Sequence, residues 1–439
     1  MKYKFIVPLI VFILFCQAGY SQWYNEKFQI GSFADPRVSR DNNRTKDSIS
    51  FNLFKAARFN LLTGPQYYNG AQDFSLMDKT LDLAAKYNLH LMVIDSKLSV
   101  TNDNFSNDDA QKIVSHFKTI DAKKRNAIGG YSFGGEFPLA KAAQVKKWTN
   151  YFKNNDPDKP AFVYLLPNYG FNSRSAYEQY LDGYLNDQDA GNRPQIVAYD
   201  YYPFLSPAIM SSYFYNLGII KKKAAGRPVW YYIQSTTKKT LPDITDYQLK
   251  FMAYCPLAYG SKGAIYYTYE SIPDHYGLNY YAALINTYGN PTKKYYTAKI
   301  INYYLSSIAG PIIMENRCVG TYHVSNDPTN ENIPDNYILT GRNKYVRSVS
   351  DKNILIGVFK DQQSSKYYLM LINKSSNDLS DIKISVPGNK SVTAFPGSDN
   401  YRGGMTKTQL STTNDRKKTT TNFNLEKIPG GEMAIVEVD

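Results

Sequence analysis

Ala127-Ile128-Gly129-Gly130-Tyr131-Ser132-Phe133-Gly134-Gly135-Glu136-Phe137-Pro138 is the stretch on which the reading of this chain turns. A short apolar run closes on glycines and one carboxylate. A helical pattern with Val145, Trp148, Tyr151 and Phe152 on one face follows. Two arrangements fit. In one, Glu136 ends a parallel strand and faces a cavity. In the other, Gly130-x-Ser132-x-Gly134 is a nucleophile elbow. The elbow needs a firm strand before the serine and a helix at once after it. Arg125-Asn126-Ala127-Ile128 makes a weak strand, and the ring of Pro138 would break that helix. No HGGG-type oxyanion stretch accompanies it. Asp200 and His275 do follow in Ser…Asp…His order, but so do many residues. A serine esterase acting through Ser132 ranks third.

Working outward, the same alternation recurs from Phe28 to about residue 309. Apolar runs of strand length at 28–33, 57–62, 89–95, 127–132, 161–167, 196–202, 229–234 and 264–269 are separated by helical patterns. The runs are nearly continuous rather than alternating, as strands covered on both faces should be. Met77, Leu81 and Ala84 recur at helical spacing. Ser106 caps a helix bearing Ile113, Phe117 and Ile120, and Asp109 favours its positive end. Thr292 opens the last helix, with Pro291 just ahead. Eight β/α units predict an α/β fold, a closed (β/α)8 TIM barrel; an open doubly wound sheet is the alternative.

From residue 310 helical spacing is expected to stop. Runs at 354–359, 366–372, 382–386, 391–395 and 432–438, with turn residues between them, predict a C-terminal antiparallel β-sandwich. Residues 411–422 read as a long polar loop. The domain boundaries expected are a signal peptide over 1–21, the barrel over 22–309 and the sandwich over 310–439.

The first residues read as an export signal. Lys2 and Lys4 precede an apolar core from Phe5 to Phe15, and Gly19 and Ser21 offer a cut before Gln22. The run falls short of the ~20 residues of a membrane span, and Phe15 argues against lipid attachment at Cys16. The expected location is periplasmic or secreted. Cys255 and Cys318 remain beyond the signal, more as buried thiols than as a bridge, so burial must hold the fold.

Lysine and arginine exceed aspartate and glutamate by 51 to 38, a net charge of +13. The clusters Lys221-Lys222-Lys223, Lys238-Lys239 and Arg416-Lys417-Lys418 read as solvated ends; an exported chain gives them no nucleic acid to bind. The 40 tyrosines offer ring faces and hydroxyls that suit sugars, though most must be packed. With four histidines and no ligand spacing around His275, neither a metal nor a cofactor is expected. Asp103, Asp108 and Asp109 read as helix-start acids.

In a barrel, chemistry gathers at the C-terminal strand ends. The polar residues there are Asp35, Asp95, Glu136, Asn168, Asp200, Gln234 and Glu270; Trp230, Tyr202 and Tyr267 are the aromatic candidates. Glycosidic hydrolysis needs two carboxyls, one to protonate the leaving oxygen and one to attack or to activate water.

At this point the chain resembles a family. Gly130-Tyr131, Gly134-Gly135-Glu136, Ala198-Tyr199-Asp200-Tyr201-Tyr202-Pro203, Gly226-Arg227-Pro228-Val229-Trp230, Gly263-Ala264-Ile265-Tyr266-Tyr267, Gly289-Asn290-Pro291-Thr292 and Ile428-Pro429-Gly430-Gly431 are similar to stretches of the clan A barrel glycoside hydrolases, in particular the family 42-like branch. The resemblance implies an O-glycosyl hydrolase of an oligo- or polysaccharide with Glu136 as general acid/base. It departs at two positions. Gly135 stands where the family has Asn or Asp. Gln234 stands where it has the strand-seven Glu nucleophile, and an amide supplies no anion. Either Glu270 or Asp200 takes the second role, or the substrate's own group attacks, or the barrel binds glycan without cleaving it. Glu270, four strands from Glu136, would give the wide ~6.5–9.5 Å spacing of an inverting enzyme.

Overall fold

The computed structural model describes residues 23–439 apart from 37, 39–43, 64–73, 94–99, 190–191, 239, 273–280, 398–405 and 416–418. Cys16, the export signal, Asp95 and His275 therefore lie outside the described residues.

The alternation of the sequence closes into a barrel. Strands β1 (Gln29–Phe33), β2 (Leu61–Leu62), β3 (His90–Val93), β4 (Ile128–Gly135), β5 (Ala161–Leu165), β6 (Val197–Tyr199), β7 (Val229–Gln234) and β8 (Gly263–Tyr267) pair in chain order, all parallel, and β8 returns to β1. The open-sheet alternative is thereby excluded. Around them run α1 (Arg44–Ala56), α2 (Phe74–Lys86), α3 (Asn107–Thr119), α4 (Ala122–Ala127), α5 (Ala142–Asn155), α6 (Arg174–Leu185), α7 (Pro207–Ser211), α8 (Tyr213–Ala224), α9 (Asp246–Tyr254), α10 (Lys293–Tyr304) and α11 (Gly310–Glu315). Ser106 and Asp109 close the capping box at the start of α3; Thr245 and Gln248 do the same for α9.

Each strand divides its side chains by alternation. On β7, Tyr231 and Ile233 join the core between sheet and helices, while Trp230 and Tyr232 point into the barrel. The interior fills in layers. Trp230 is fully buried in the lower layer with Phe162 and Met92. Trp23 plugs the end beneath it, 6.2 Å from the Trp230 ring and 4.2 Å from that of His90, and its Nε1 donates to Gly129 O at 2.7 Å. Burial drives the His90 imidazole down to about 4, so it sits neutral under the indole.

Beyond the barrel, β9 (Arg317–Val324), β10 (Ser348–Val349), β11 (Ile354–Lys360), β12 (Tyr367–Asn373), β13 (Leu379–Pro387), β14 (Val392–Ala394), β15 (Thr408–Gln409), β16 (Thr413–Asp415), β17 (Thr420–Ile428) and β18 (Met433–Val438) form two antiparallel sheets, ordered β10-β13-β17-β16 and β15-β14-β18-β12-β11-β9. This is the expected β-sandwich. The larger sheet is buried on both sides. Ile354, Ile356 and Val358 face the smaller sheet, whereas Leu355 and Phe359 pack into the barrel's core. Gly357 lies against Ala258, where a Cβ would come within 2.7 Å of the Ala258 Cα.

Three expectations are corrected here. Helix continues past residue 309 through α11. Residues 411–422 are not a continuous loop but contain β16 and the start of β17, whose Phe423, Leu425 and Ile428 are buried. A run of Thr and Asn hides the strand, although Thr420 and Thr421 are buried. Finally, Cys255 and Cys318 are both free, and only Cys255 is fully buried.

Candidate active site

The C-terminal mouth of the barrel holds a cavity of about 380 Å³. It is within the usual range of small-molecule sites, roughly 300–1,000 Å³. Its polar lining is Glu136, Asp200, Lys238 and Thr240; its aromatic lining is Phe33, Tyr164, Tyr169, Tyr202, Tyr232 and Tyr267.

Glu136 follows β4 in an unusual conformation. Its φ is +60°, in the left-handed region that non-glycine residues rarely adopt, two residues after Gly134 at +80°. The turn is held by Glu136 N donating to Tyr164 O at 2.9 Å. Strain of this kind collects at functional sites. The same approach of β4 to β5 accounts for Gly135. A Cβ there would lie 2.2 Å from Tyr164 O and 2.4 Å from the Tyr164 ring, so the Asn or Asp of the resembling family has no room.

Asp200 follows β6 and is 6% exposed. Counting back by twos reaches Ala198, which faces the barrel interior, so the inward side is dictated by the strand. Glu136 lines the same cavity from the end of β4. Asp200 Oδ1 is buried and meets no donor. Burial first, then the Glu136 charge, raise the Asp200 carboxyl well above the ordinary carboxylate range, with the Lys238 ammonium pulling the other way. Burial, and after it the nearby carboxyls, also push the Tyr169, Tyr202 and Tyr232 phenols up, so these rings are neutral hydroxyl donors.

The other candidates are placed differently. Tyr202 and Tyr267 line the cavity with rings 5.7 Å apart. Gln234 ends β7 but is fully buried and does not line it. Its Nε2 donates to Pro242 O at 2.7 Å and to Thr236 O at 3.2 Å. The loop after β7 folds back over the amide and presents Lys238, Thr240 and Leu241 to the cavity instead. Trp230, expected at the site, is core one layer below Tyr232. Glu270 is buried beyond β8, its N donating to Ala34 O at 3.1 Å, and lies outside the lining. Asp35 accepts from Ser32 Oγ at 2.6 Å and is likewise buried off the cavity. Asn168 is tied to α8 through Asn216, while its neighbour Tyr169 reaches the cavity. Ser132 is buried inside β4, and the next α-helix starts only at Ala142, so the nucleophile-elbow geometry is absent.

Sequence reasoning passed over Tyr164, Tyr169, Lys238 and Thr240. Tyr232 was legible, being two residues from inward-facing Trp230; the loop residues carry no periodic signal.

No protein-family profile matches the chain, and no curated protein does. Solved structures do match. A glucosidase from Croceicoccus marinus is 9% identical, with TM-score 0.47, over 94% of this chain and 95% of that one. A GH30 endoxylanase from Clostridium papyrosolvens is 12% identical with TM-score 0.48, over 94% and 95%. An α-L-arabinofuranosidase from Thermotoga maritima is 10% identical with TM-score 0.49, over 93% and 96%. Likeness at this level carries no argument about chemistry.

Proposed function

We propose that this chain is an exported glycoside hydrolase that cleaves O-glycosidic bonds of an oligo- or polysaccharide, with Glu136 as general acid/base. The observation that carries the reading is that Glu136 and Asp200 line one tyrosine-walled cavity at the barrel mouth. Glu136 is exposed at the mouth, open to a glycosidic oxygen, and buried Asp200 lines the same cavity as the second carboxyl that hydrolysis requires. Ring faces and neutral phenols suit the apolar faces and hydroxyls of sugars. The kinship we infer, to the clan A enzymes and their family 42-like branch, rests on the strand-four, strand-six and strand-eight motifs. Export to the periplasm or medium rests on the pattern of residues 1–21.

The test is a panel of aryl glycosides. Glu136→Gln keeps the shape and removes the proton, and is expected to lower kcat by about 10²–10⁴-fold, the contribution of a positioned acid. Buried Gln234 favours a second reading, a catalytically silent glycan-binding barrel. Saturable binding of oligosaccharides with no turnover by the wild type would select it. The esterase reading has no geometric support, since Ser132 is enclosed in its strand.

A further inference from the structure

We propose that the sugar this cavity takes is anionic, a uronic acid or a sulfated sugar, and that Lys238 is the residue that selects it. The proposal rests on the reading of the cavity as a sugar site and names the class of sugar.

Three placements lead to it. First, among the described residues lining the cavity Lys238 is the only cation. The sequence put it in a cluster of solvated lysines, yet it is half-buried and lines the cavity. Second, the wall that carries it is built. Lys238 N donates to Leu241 O at 3.0 Å, and Leu241 N donates back to Lys238 O at 2.9 Å. Just before it, Thr237 N donates to Tyr281 O at 2.8 Å and Tyr281 N to Thr237 O at 2.7 Å. Thr237 Oγ1 donates to Asp243 at 2.9 Å, and the Gln234 amide ties the same loop through Thr236 O and Pro242 O. A ligand therefore meets a preorganised backbone under the ammonium. Third, Lys238 is not locked to Asp200 as its counter-ion. Burial and the Glu136 charge raise the Asp200 carboxyl, and the opposing pull of Lys238 comes after both. A carboxyl held in a close ion pair moves down instead. Lys238 has contacts of its own, but an ammonium has three hydrogens to give.

A sugar that enters the cavity takes water away from the ammonium. Hydroxyls replace that water only in part. A carboxylate or a sulfate replaces it with charge-assisted hydrogen bonds, roughly twice as strong as neutral ones. An ammonium is a point charge and makes no planar demand of the kind a guanidinium makes, so the two anions are equal in kind here. The carboxyls sharpen the requirement. An anion brought into a cavity with Glu136 and Asp200 is repelled unless a cation stands with it, and Lys238 is that cation among the described lining. The acids come from the ends of β4 and β6 and the ammonium from the loop after β7, so separate elements serve the glycosidic oxygen and the anionic group. The chain as a whole favours such a partner. Lysine and arginine outnumber aspartate and glutamate by 51 to 38, and a positive field draws polyanions.

The experiment measures calorimetric binding and turnover of 4-nitrophenyl glucuronide, galacturonide and glucoside 6-sulfate against the plain glucoside and galactoside, each as both anomers. Kd for at least one acidic sugar is expected to be about 10–100-fold lower than for its neutral counterpart, the usual contribution of a hydrogen bond to a charged group. That advantage should shrink as salt is added, while binding of the neutral sugars holds still. Lys238→Met should remove both the preference and the salt dependence, and Lys238→Arg should keep them. The salt series uses wild-type protein and stands even if a variant fails to fold. Preference for the uronides alone, or for the sulfate alone, would uphold the proposal and name the anion. Equal affinity for acidic and neutral sugars, a preference that Lys238→Met leaves intact, or no binding by any of them would overturn it. Lys238-dependent binding of acidic sugars without turnover would uphold it and end the hydrolase reading. Turnover of the neutral glycosides alone, lost in Glu136→Gln, would do the reverse.

Discussion

Replacing Gln234 by Glu restores the residue type of the resembling family at the end of β7, and the structure predicts damage rather than gain. The two side chains have the same shape, so no cavity arises. What changes is the donor. Nε2 of Gln234 serves two buried carbonyls, Thr236 O and Pro242 O. A protonated Glu can serve one of them, and leaving the other unpaired costs about 1–3 kcal/mol. Keeping the carboxyl protonated against two carbonyl oxygens adds a pH-dependent part. A group with a raised folded pKa contributes its full share of stability below its unfolded value, ~4.3 for Glu, and loses it as pH rises toward the folded value. If the folded pKa lies above 7, the loss between pH 4.3 and pH 7 is 1.36 kcal/mol per unit, about 3.7 kcal/mol. Gln234→Glu should therefore be destabilised by about 1–3 kcal/mol at pH 4 and by roughly 5–7 kcal/mol at pH 7. Urea unfolding of both proteins at the two pH values, read as ΔG from midpoint and slope, measures this directly. Activity should not rise, because the carboxyl would face the loop and not the cavity. Equal destabilisation at both pH values, or a stable variant with new glycosidase activity, would refute the assignment of Gln234 as the anchor of the loop.

Further outcomes follow from other contacts. Glu136→Gln removes one of the causes that hold the Asp200 carboxyl above the ordinary range, so the Asp200 carboxyl resonance in a carbon-13 NMR titration should move at lower pH; an unmoved titration would separate the two carboxyls. Trp23→Ala opens the plug beneath Trp230 and should cost about 3–5 kcal/mol in unfolding free energy, with KM for any substrate little changed. Gly135→Ala sets a methyl against Tyr164 O and its ring, so it should lower both thermal stability and activity by displacing Glu136.

The barrel was legible because parallel strands covered on both faces must be apolar throughout, and eight such runs stood between helical patterns. Even β2, two residues long, sat inside a run of that kind. Glu136 was legible as the carboxylate after the fourth run, and Asp200 and Tyr202 as inward positions of the sixth. Trp230 misled because alternation gives the face of a residue but not its depth; it shares the inward face of β7 with Tyr232 but lies a layer lower. Glu270 misled for a similar reason, since the chain turns after β8 and pairs with Ile285 away from the cavity. Lys238 and Thr240 come from a loop whose shape depends on one tertiary anchor, so no local pattern could announce them. Strands β16 and β17 escaped because their run of Thr and Asn resembles a polar linker, although Thr420 and Thr421 are buried.

The departure at strand seven has a structural meaning beyond the loss of a carboxylate. The loop after β7 keeps its fold because a donor at residue 234 reaches two carbonyls, and a carboxylate has no hydrogen to offer them. A glutamate nucleophile at this position and the present loop therefore exclude each other. With the amide in place, Lys238, Thr240 and Leu241 form the wall on the β7 side, and the rings of Tyr232, Tyr267 and Phe33 continue it toward β1. All the acidic chemistry among the described lining is left on the opposite side, between β4 and β6. The consequence is a cavity with a stacking wall on the β7, β8 and β1 side and an acid wall between β4 and β6.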